Sequence, residues 1–382
     1  MKSLHWEVKK IKDTCKLIKK QYKPNEEENK KYIGLEHIEQ GSLKLLGVGN
    51  SSNAISNKFI FEKGQILFGK LRPYFRKVIR PNFDGVCSTD IWVIDSKKGF
   101  DNGFLFYFFA NSEIIEEATN SSEGTRMPRA VWNYLSDLEY KFPPLPVQLS
   151  IAKILSSLDE KIELNNKMNK TLEAIGQALF KKWFIDKRKG EWEISKIGDE
   201  LKTILGGTPD RTKPGYWNGN INWINSGKVN EFRIIEPSEK ITELGLRNSA
   251  TKILPKGSVV LAITGATLGQ FSKLEIDTCA NQSVIGILEN EKISSEYIYF
   301  WIKNEIGDII SHQTGGAQQH INKNNLDSYD LLIPDDKTLQ DFNKIIQPIF
   351  KQISINCFQN QTLSSLRDTL LPKLMSGEVR VR

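Results

Sequence analysis

The feature that most constrains this chain is an internal repeat. Trp6-Glu7-Val8-Lys9-Lys10-Ile11 returns as Trp192-Glu193-Ile194-Ser195-Lys196-Ile197. Further on, Glu62-Lys63-Gly64-Gln65-Ile66-Leu67 is matched by Pro255-Lys256-Gly257-Ser258-Val259-Val260, Gly124 by Gly316 and Pro143 by Pro334. The spacing drifts as loops gain or lose residues, but the order of landmarks is kept. The 382 residues therefore read as two copies of a unit of about 190, each long enough to bury its own core.

Both copies share one internal order. Short β-rich runs come first, 58–68 and 86–94 in one copy and 258–264 and 283–288 in the other, punctuated by Gly, Pro and Asn. An aromatic helix is predicted next, over 104–117 and again over 296–310. Proline then closes the globular part: Phe142-Pro143-Pro144-Leu145-Pro146 is answered by Ile333-Pro334-Asp335-Asp336. Proline ahead of a helix and Asp as its cap are both start signals.

The helix that follows carries a seam. Ile151, Leu155, Leu158, Ile162, Asn165, Asn169, Leu172, Gly176 and Leu179 fall at alternating steps of four and three. Phe342, Ile346, Ile349, Ile353, Asn356, Asn360, Leu363, Arg367 and Leu370 repeat those steps in the second copy. This is coiled-coil spacing. Asparagine at a seam position is tolerated only opposite another hydrogen-bonding group, so Asn165 and Asn169 are expected to face Asn356 and Asn360. Parallel and antiparallel pairing both satisfy that match; a self-complementary contact between like units closes as a twofold pair, which favours antiparallel. The expected fold is α+β: two pseudo-twofold-related mixed α/β domains joined by two long helices in an antiparallel coiled coil. Its boundaries are 1–147 and 190–337 for the domains, 148–189 for the first helix, and 338–382 for the second helix and tail.

Composition narrows the function. The four cysteines (Cys15, Cys87, Cys279, Cys357) are widely spaced without a CxxC, and the four histidines (His5, His37, His312, His320) form no ligand pattern. Reduced, mostly buried thiols are expected, and no metal. No run approaches the roughly 20 apolar residues of a membrane span, and the start lacks a signal-peptide core, so the expected location is the cytoplasm, away from membranes. With 53 Lys+Arg against 46 Asp+Glu the net charge is +7, which favours a nucleic-acid partner only weakly.

Local clusters say more. Lys70-Leu71-Arg72-Pro73-Tyr74-Phe75-Arg76-Lys77-Val78-Ile79-Arg80 carries five cations and no acid, and Glu123-Gly124-Thr125-Arg126-Met127-Pro128-Arg129 adds two more. Lys70, Arg72, Arg76, Lys77, Arg80, Arg126 and Arg129 are candidate DNA contacts; arginine can read guanine O6/N7 or hold phosphate, and sequence does not separate the roles. The second copy places Thr264, Thr267 and Gln270 in the matching strand-following loop, and Gln318, Gln319 and His320 near the matching Gly316. Glutamine can read adenine. One frame with unlike reading residues implies an asymmetric, bipartite duplex target. A helix of about 36 residues spans roughly 54 Å, against about 34 Å for one turn of DNA, so the helices are expected to act as a ruler. Asn281 and Gln282 fit a strand-end turn better than a base contact. A Walker GxxxxGK[ST] loop, a dinucleotide fingerprint and a methyltransferase Asn-Pro-Pro-Tyr run are all missing from the sequence, and no active site is expected.

Together these features resemble the specificity (S) subunit of type I restriction-modification systems. The likeness rests on Leu164-Asn165-Asn166-Lys167-Met168-Asn169-Lys170-Thr171-Leu172-Glu173, on Ala178-Leu179-Phe180-Lys181-Lys182-Trp183-Phe184-Ile185-Asp186, and on Leu370-Leu371-Pro372-Lys373-Leu374-Met375-Ser376-Gly377-Glu378-Val379. With the Trp start of each copy and the Pro146/Gln148 opening of the first helix, it covers essentially the whole chain. The run Pro334-Asp335-Asp336-Lys337-Thr338-Leu339-Gln340 departs from the family's Pro-rich opening and is read as cap variation.

The resemblance implies two target-recognition domains, each binding half of a split DNA site, with the two helices as spacer. It implies two methyltransferase (M) subunits using S-adenosylmethionine, and restriction (R) subunits using ATP and Mg2+. This chain would then be non-catalytic and hold no cofactor. Phe180, Trp183 and Phe184 are either core beneath the second domain or anchors for an M subunit; Lys181, Lys182, Lys187, Arg188 and Lys189 face solvent or phosphate. Two other classes remain: a stand-alone bipartite DNA-binding regulator, and a coiled-coil scaffold without DNA affinity.

Overall fold

The computed structural model describes residues 5–24, 29–53, 56–124, 126–186, 192–311 and 320–381. They form two compact units, one of residues 1–162 with 361–382 and the other of residues 163–360.

In the first unit the apolar runs pair into a four-stranded antiparallel sheet in the order Cys15–Ile18, Ile91–Ser96, Ile66–Gly69, Val78–Ile79. A second sheet joins Gln21–Tyr22, Lys58–Phe61, Gly85–Cys87, Lys31–Ile33 and Gly49–Asn50, with its one parallel contact placing Ile33 beside Cys87. Glu7–Lys10, the repeated Trp-start segment, pairs antiparallel with Glu139–Phe142.

The second unit repeats this plan. Thr203–Leu205, Val284–Ile287, Val259–Ala262 and Phe271–Lys273 make the four-stranded sheet, and Glu193–Lys196 pairs with Asp330–Ile333. A three-stranded sheet of Glu239–Ile241, Trp217–Ile224 and Cys279–Ala280 again contains one parallel contact, Ile224 beside Ala280.

The aromatic helices sit at the centre of each core because they have no polar face to give to water. In Asn102–Ala110 every residue from Gly103 on is buried, between the sheet residues Ile66, Phe68 and Trp92 and the long-helix residues Val147, Ile151 and Leu155. The expected single helix over 104–117 is two: Asn111 is extended (φ −64°, ψ 141°), and Ser112–Asn120 restarts after it. The reason is a change of pattern, from a stretch apolar all round to one with charges on one face, which must turn to expose them. In the second unit one helix, Ser295–Ser311, spans the matching stretch.

The long helices run Leu145–Phe180, continued by a π-helical turn over Lys181–Ile185, and Asp336–Ser376. Each contributes one end to each unit. Within the second unit Asn165 Nδ2 donates to Asn360 Oδ1 (2.8 Å) and Asn356 Nδ2 donates to Asn169 Oδ1 (2.8 Å), so rising numbers on one helix meet falling numbers on the other. The pairing is antiparallel. Asn165 also reaches Gln359, and Asn360 reaches Asn166 (2.9 Å). Within the first unit Arg367 Nη1 meets Asp159 Oδ1 at 2.7 Å, in the same sense. No residue of the expected seam is exposed: Ile151, Leu155, Asn165, Asn169, Phe342, Ile346, Ile353 and Asn356 are buried, and Leu158, Ile162, Leu172, Leu179, Ile349, Asn360, Leu363 and Leu370 are half-buried.

All four cysteines are free thiols, Cys357 half-buried and the others buried. Burial pushes the Cys15 and Cys87 thiols up to about 12 and that of Cys357 to about 11. Among the described residues no helix is long and apolar enough to cross a membrane, and no three His, Cys, Asp or Glu side chains are grouped as a metal site requires.

Candidate nucleic-acid interface

In the first unit, the basic loop of residues 70–77 and the loop of residues 123–130, far apart in sequence, are laced together by backbone. Arg72 N donates to Pro128 O (2.8 Å), Ala130 N donates to Lys70 O (2.9 Å), and Lys70 N donates to Asp90 O (2.9 Å). The base of the first loop is closed by Gly69 N on Lys77 O (2.8 Å), beyond which Phe68 pairs with Val78.

The seven cationic candidates divide. Arg76 is spent internally: its Nε donates to Ala110 O (2.8 Å) and its Nη2 lies 3.3 Å from Asp368 Oδ1. Lys77 Nζ donates to Leu35 O (2.6 Å). Arg129 makes a two-pronged pair with Asp90 (Nε to Oδ1 2.9 Å, Nη2 to Oδ2 3.4 Å), which holds its guanidinium charged and in place. These three build the loops. Arg72 and Arg126 are exposed and Lys70 is half-buried, with Tyr74 and Met127 exposing apolar surface in the same loops. Arg80, also exposed, lies beyond the strand Val78–Ile79, its Nη1 3.2 Å from where a Cβ on Gly103 would stand, and is not brought to the loop tip.

Backbone conformation at the tip is unusual. Four described non-glycine residues are left-handed, and two of them, Arg72 (φ 51°) and Arg76 (φ 49°), bracket the single turn Pro73–Phe75.

The second unit has the same device. Ala262 N donates to Gln270 O (2.8 Å), Ile263 N to Ser283 O (2.9 Å), and Ile321 N to Ile263 O (3.0 Å), so the loop of residues 263–270 and the segment at 320–321 are also joined. Its left-handed residues are Gly265 (φ 68°) and Gly269 (φ 81°), around the turn Gly265–Thr267. The candidates here face differently from expectation. Thr267 Oγ1 turns back on Thr264 O (3.3 Å), and Gln270 Oε1 is buried without a hydrogen-bond partner among the described residues, so that amide points inward. His320 is exposed; Gln318 and Gln319, like Lys187, Arg188 and Lys189, lie outside the described residues. Asn281 accepts from Ser283 N (3.1 Å), the strand-end turn expected of it, and Gln282 accepts from Thr208 Oγ1 (2.5 Å).

Phe180 and Phe184 are core, each 1% exposed, packed on Tyr297 and Phe342. Four residues apart on the last turns of the helix, they share its inward face. As buried side chains they offer a docking partner no surface. Trp183 is half-buried, 6.2 Å from the Phe342 ring centre.

One cluster escaped the sequence reading. Arg211 lies 3.6 Å from the Trp217 ring centre and forms a two-pronged pair with Glu239 (2.6 and 2.9 Å). The signal available in the sequence was Arg211 and Lys213 close to the two tryptophans Trp217 and Trp223.

Comparison with known proteins agrees with this architecture. The family described as "Type I restriction modification DNA specificity domain" matches residues 4–174 and again 189–364. The chain is 27% identical over 343 residues to the "Type I restriction enzyme MjaIX specificity subunit" of Methanocaldococcus jannaschii, covering 84% of this chain and 79% of that one. It is 24% identical over 436 residues to the HindI specificity subunit of Haemophilus influenzae, covering 92% of each. Among solved structures, the type I restriction-modification S subunit from M. genitalium is similar in fold, with a TM-score of 0.63 at 16% identity over 98% of this chain and 97% of that one. Two family matches, falling on the two copies that the repeat and the paired sheets delimit, make this chain a member of the type I restriction modification DNA specificity domain family.

Proposed function

We propose that this chain is the DNA-recognition subunit of a type I restriction-modification complex, with each repeat reading one half of a split duplex target and the long helices setting the gap. The observation that carries this reading is the pair of laced loops. Both units build one backbone device, and the two devices carry different side chains: Arg72 and Arg126 are exposed in one, Thr264, Thr267 and His320 stand in the other. A shared frame with unlike contents suits an asymmetric site. Cations at the first loop would meet phosphates and guanine edges; affinity resting on phosphate would fall steeply with salt.

In this reading the chemistry belongs to partners. Two methyltransferase subunits would bring S-adenosylmethionine, and restriction subunits ATP and Mg2+, while this chain binds, orients and measures. The domains 1–147 and 190–337, with helices 148–189 and 338–382, are the parts it assigns to recognition and spacing. The test is to map modified bases in the DNA of cells expressing this chain with its methyltransferase partner. A split, asymmetric motif that disappears when this chain is deleted is expected; methylation unchanged by the deletion overturns the proposal.

A further inference from the structure

Counted from the matched glycines Gly64 and Gly257, Arg72 aligns with Gly265 and Arg76 with Gly269. All four are left-handed, so the two units trace one loop conformation with different residues in it. Glycine takes up that conformation without steric cost, whereas arginine, with its Cβ, is strained there. The second unit shows that the loop closes with glycine at both places. An arginine at either place must therefore be compensated by what its side chain does.

For Arg76 the compensation is internal, in Ala110 O and Asp368. It is a positioning residue, tying the loop to the helix that carries Asp368. For Arg72 no such internal partner exists among the described residues. Its side chain is exposed, and among the described residues its guanidinium has no ion-pair or hydrogen-bond partner, only the Phe75 ring with its centre 6.0 Å away. Its backbone, by contrast, is fixed on both sides: Arg72 N is held by Pro128 O (2.8 Å) and Arg72 O by Phe75 N (2.9 Å).

We infer that Arg72 is a specificity-determining residue of the first unit, presenting its guanidinium to a guanine edge in that unit's half-site. A phosphate contact needs only a cation within reach, and a flexible lysine on a relaxed loop supplies it. A strained, doubly pinned backbone matters where orientation matters, as in bidentate pairing with guanine O6 and N7. The inference rests on the proposed DNA-reading function.

Glycine at the aligned position also supplies the variant. The full-length chain and Arg72→Gly, each with its methyltransferase partner, are used to select from a library of randomised duplexes. We expect Arg72→Gly to melt no lower than the unsubstituted chain, and to lose discrimination at one G·C pair of one half-site by about tenfold or more while the other half-site is unchanged. Arg72→Asn, which also tolerates the left-handed region, should behave alike. An unchanged profile overturns the assignment. So does uniform weakening on all sequences with a shallower salt dependence, which marks a phosphate contact, and so does a lower melting temperature for Arg72→Gly, which would refute the strain. If the unsubstituted complex selects no sequence, the DNA-reading function itself fails, a result separate from all of these.

Discussion

Arg367 and Gly176 hold matching places on the two long helices, and each is explained by its neighbours. Arg367, its side chain 4% exposed, reaches Asp159 at 2.7 Å, and Asp159 also accepts from the Tyr107 hydroxyl (2.6 Å). Burial, then the Asp159 carboxylate, push the Tyr107 phenol far above its usual range, so it stays a donor. At residue 176 a Cβ would come within 2.5 Å of the Phe300 ring, and only glycine fits. We predict that Arg367→Ala, which strips Asp159 of its countercharge, costs about 2 to 3 kcal/mol, less than a fully buried pair because Asp159 is partly exposed. Urea denaturation of the full-length chain checks this, and a loss under about 0.5 kcal/mol would sink it. The seam pattern located Arg367 but gave no hint of its partner, 208 residues away in sequence. The same limit governed the basic loops. Arg76, Lys77 and Arg129 belong to the same charge clusters as Arg72 and Arg126, and what separates them is a carbonyl or carboxylate brought in from elsewhere: Ala110, Leu35, Asp90. Charge is local information; satisfaction of charge is not.

Elements were more legible, because their signals are periodic. The four-three spacing located both long helices to within a few residues at their starts, and the seam asparagines foretold the Asn165/Asn360 and Asn169/Asn356 contacts. What periodicity missed was interruption, at Asn111 and in the π-helical turn of Lys181–Ile185, where one residue changes the path. The asparagine pairs make a prediction at this scale. Asn169→Leu or Asn356→Leu alone leaves a buried amide unmatched and should cost about 1 to 3 kcal/mol. The double variant should recover most of that loss, since leucine then meets leucine and Gln352, which donates to Asn356, is exposed and can turn to water. A double-mutant cycle in denaturant measures it; strictly additive losses would mean that the two amides are not coupled.

At the scale of the whole chain, the repeat was the one long-range fact the sequence carried openly, since a copied pattern needs no coordinates to be seen. The composition of the units was not. Leu371, Leu374 and Met375, among the last residues of the second long helix, lie in one core with Ile11, Phe68 and Trp92. The first unit is thus made of two separated segments, and the other is one continuous stretch, 163–360. On a ribosome, domains ordinarily complete in the order they emerge. Here that order is inverted: the segment synthesised first waits, with part of its core uncovered, until residues 361–382 emerge, while the stretch between closes ahead of it. A chain ending at residue 360 and released from the ribosome should accordingly show a protease-resistant 163–360 stretch beside a cleavable amino-terminal segment, and resistance of both would contradict this. Until residues 361–382 have emerged, the amino-terminal segment is a client for chaperones, and its yield in the cell depends on how quickly they follow.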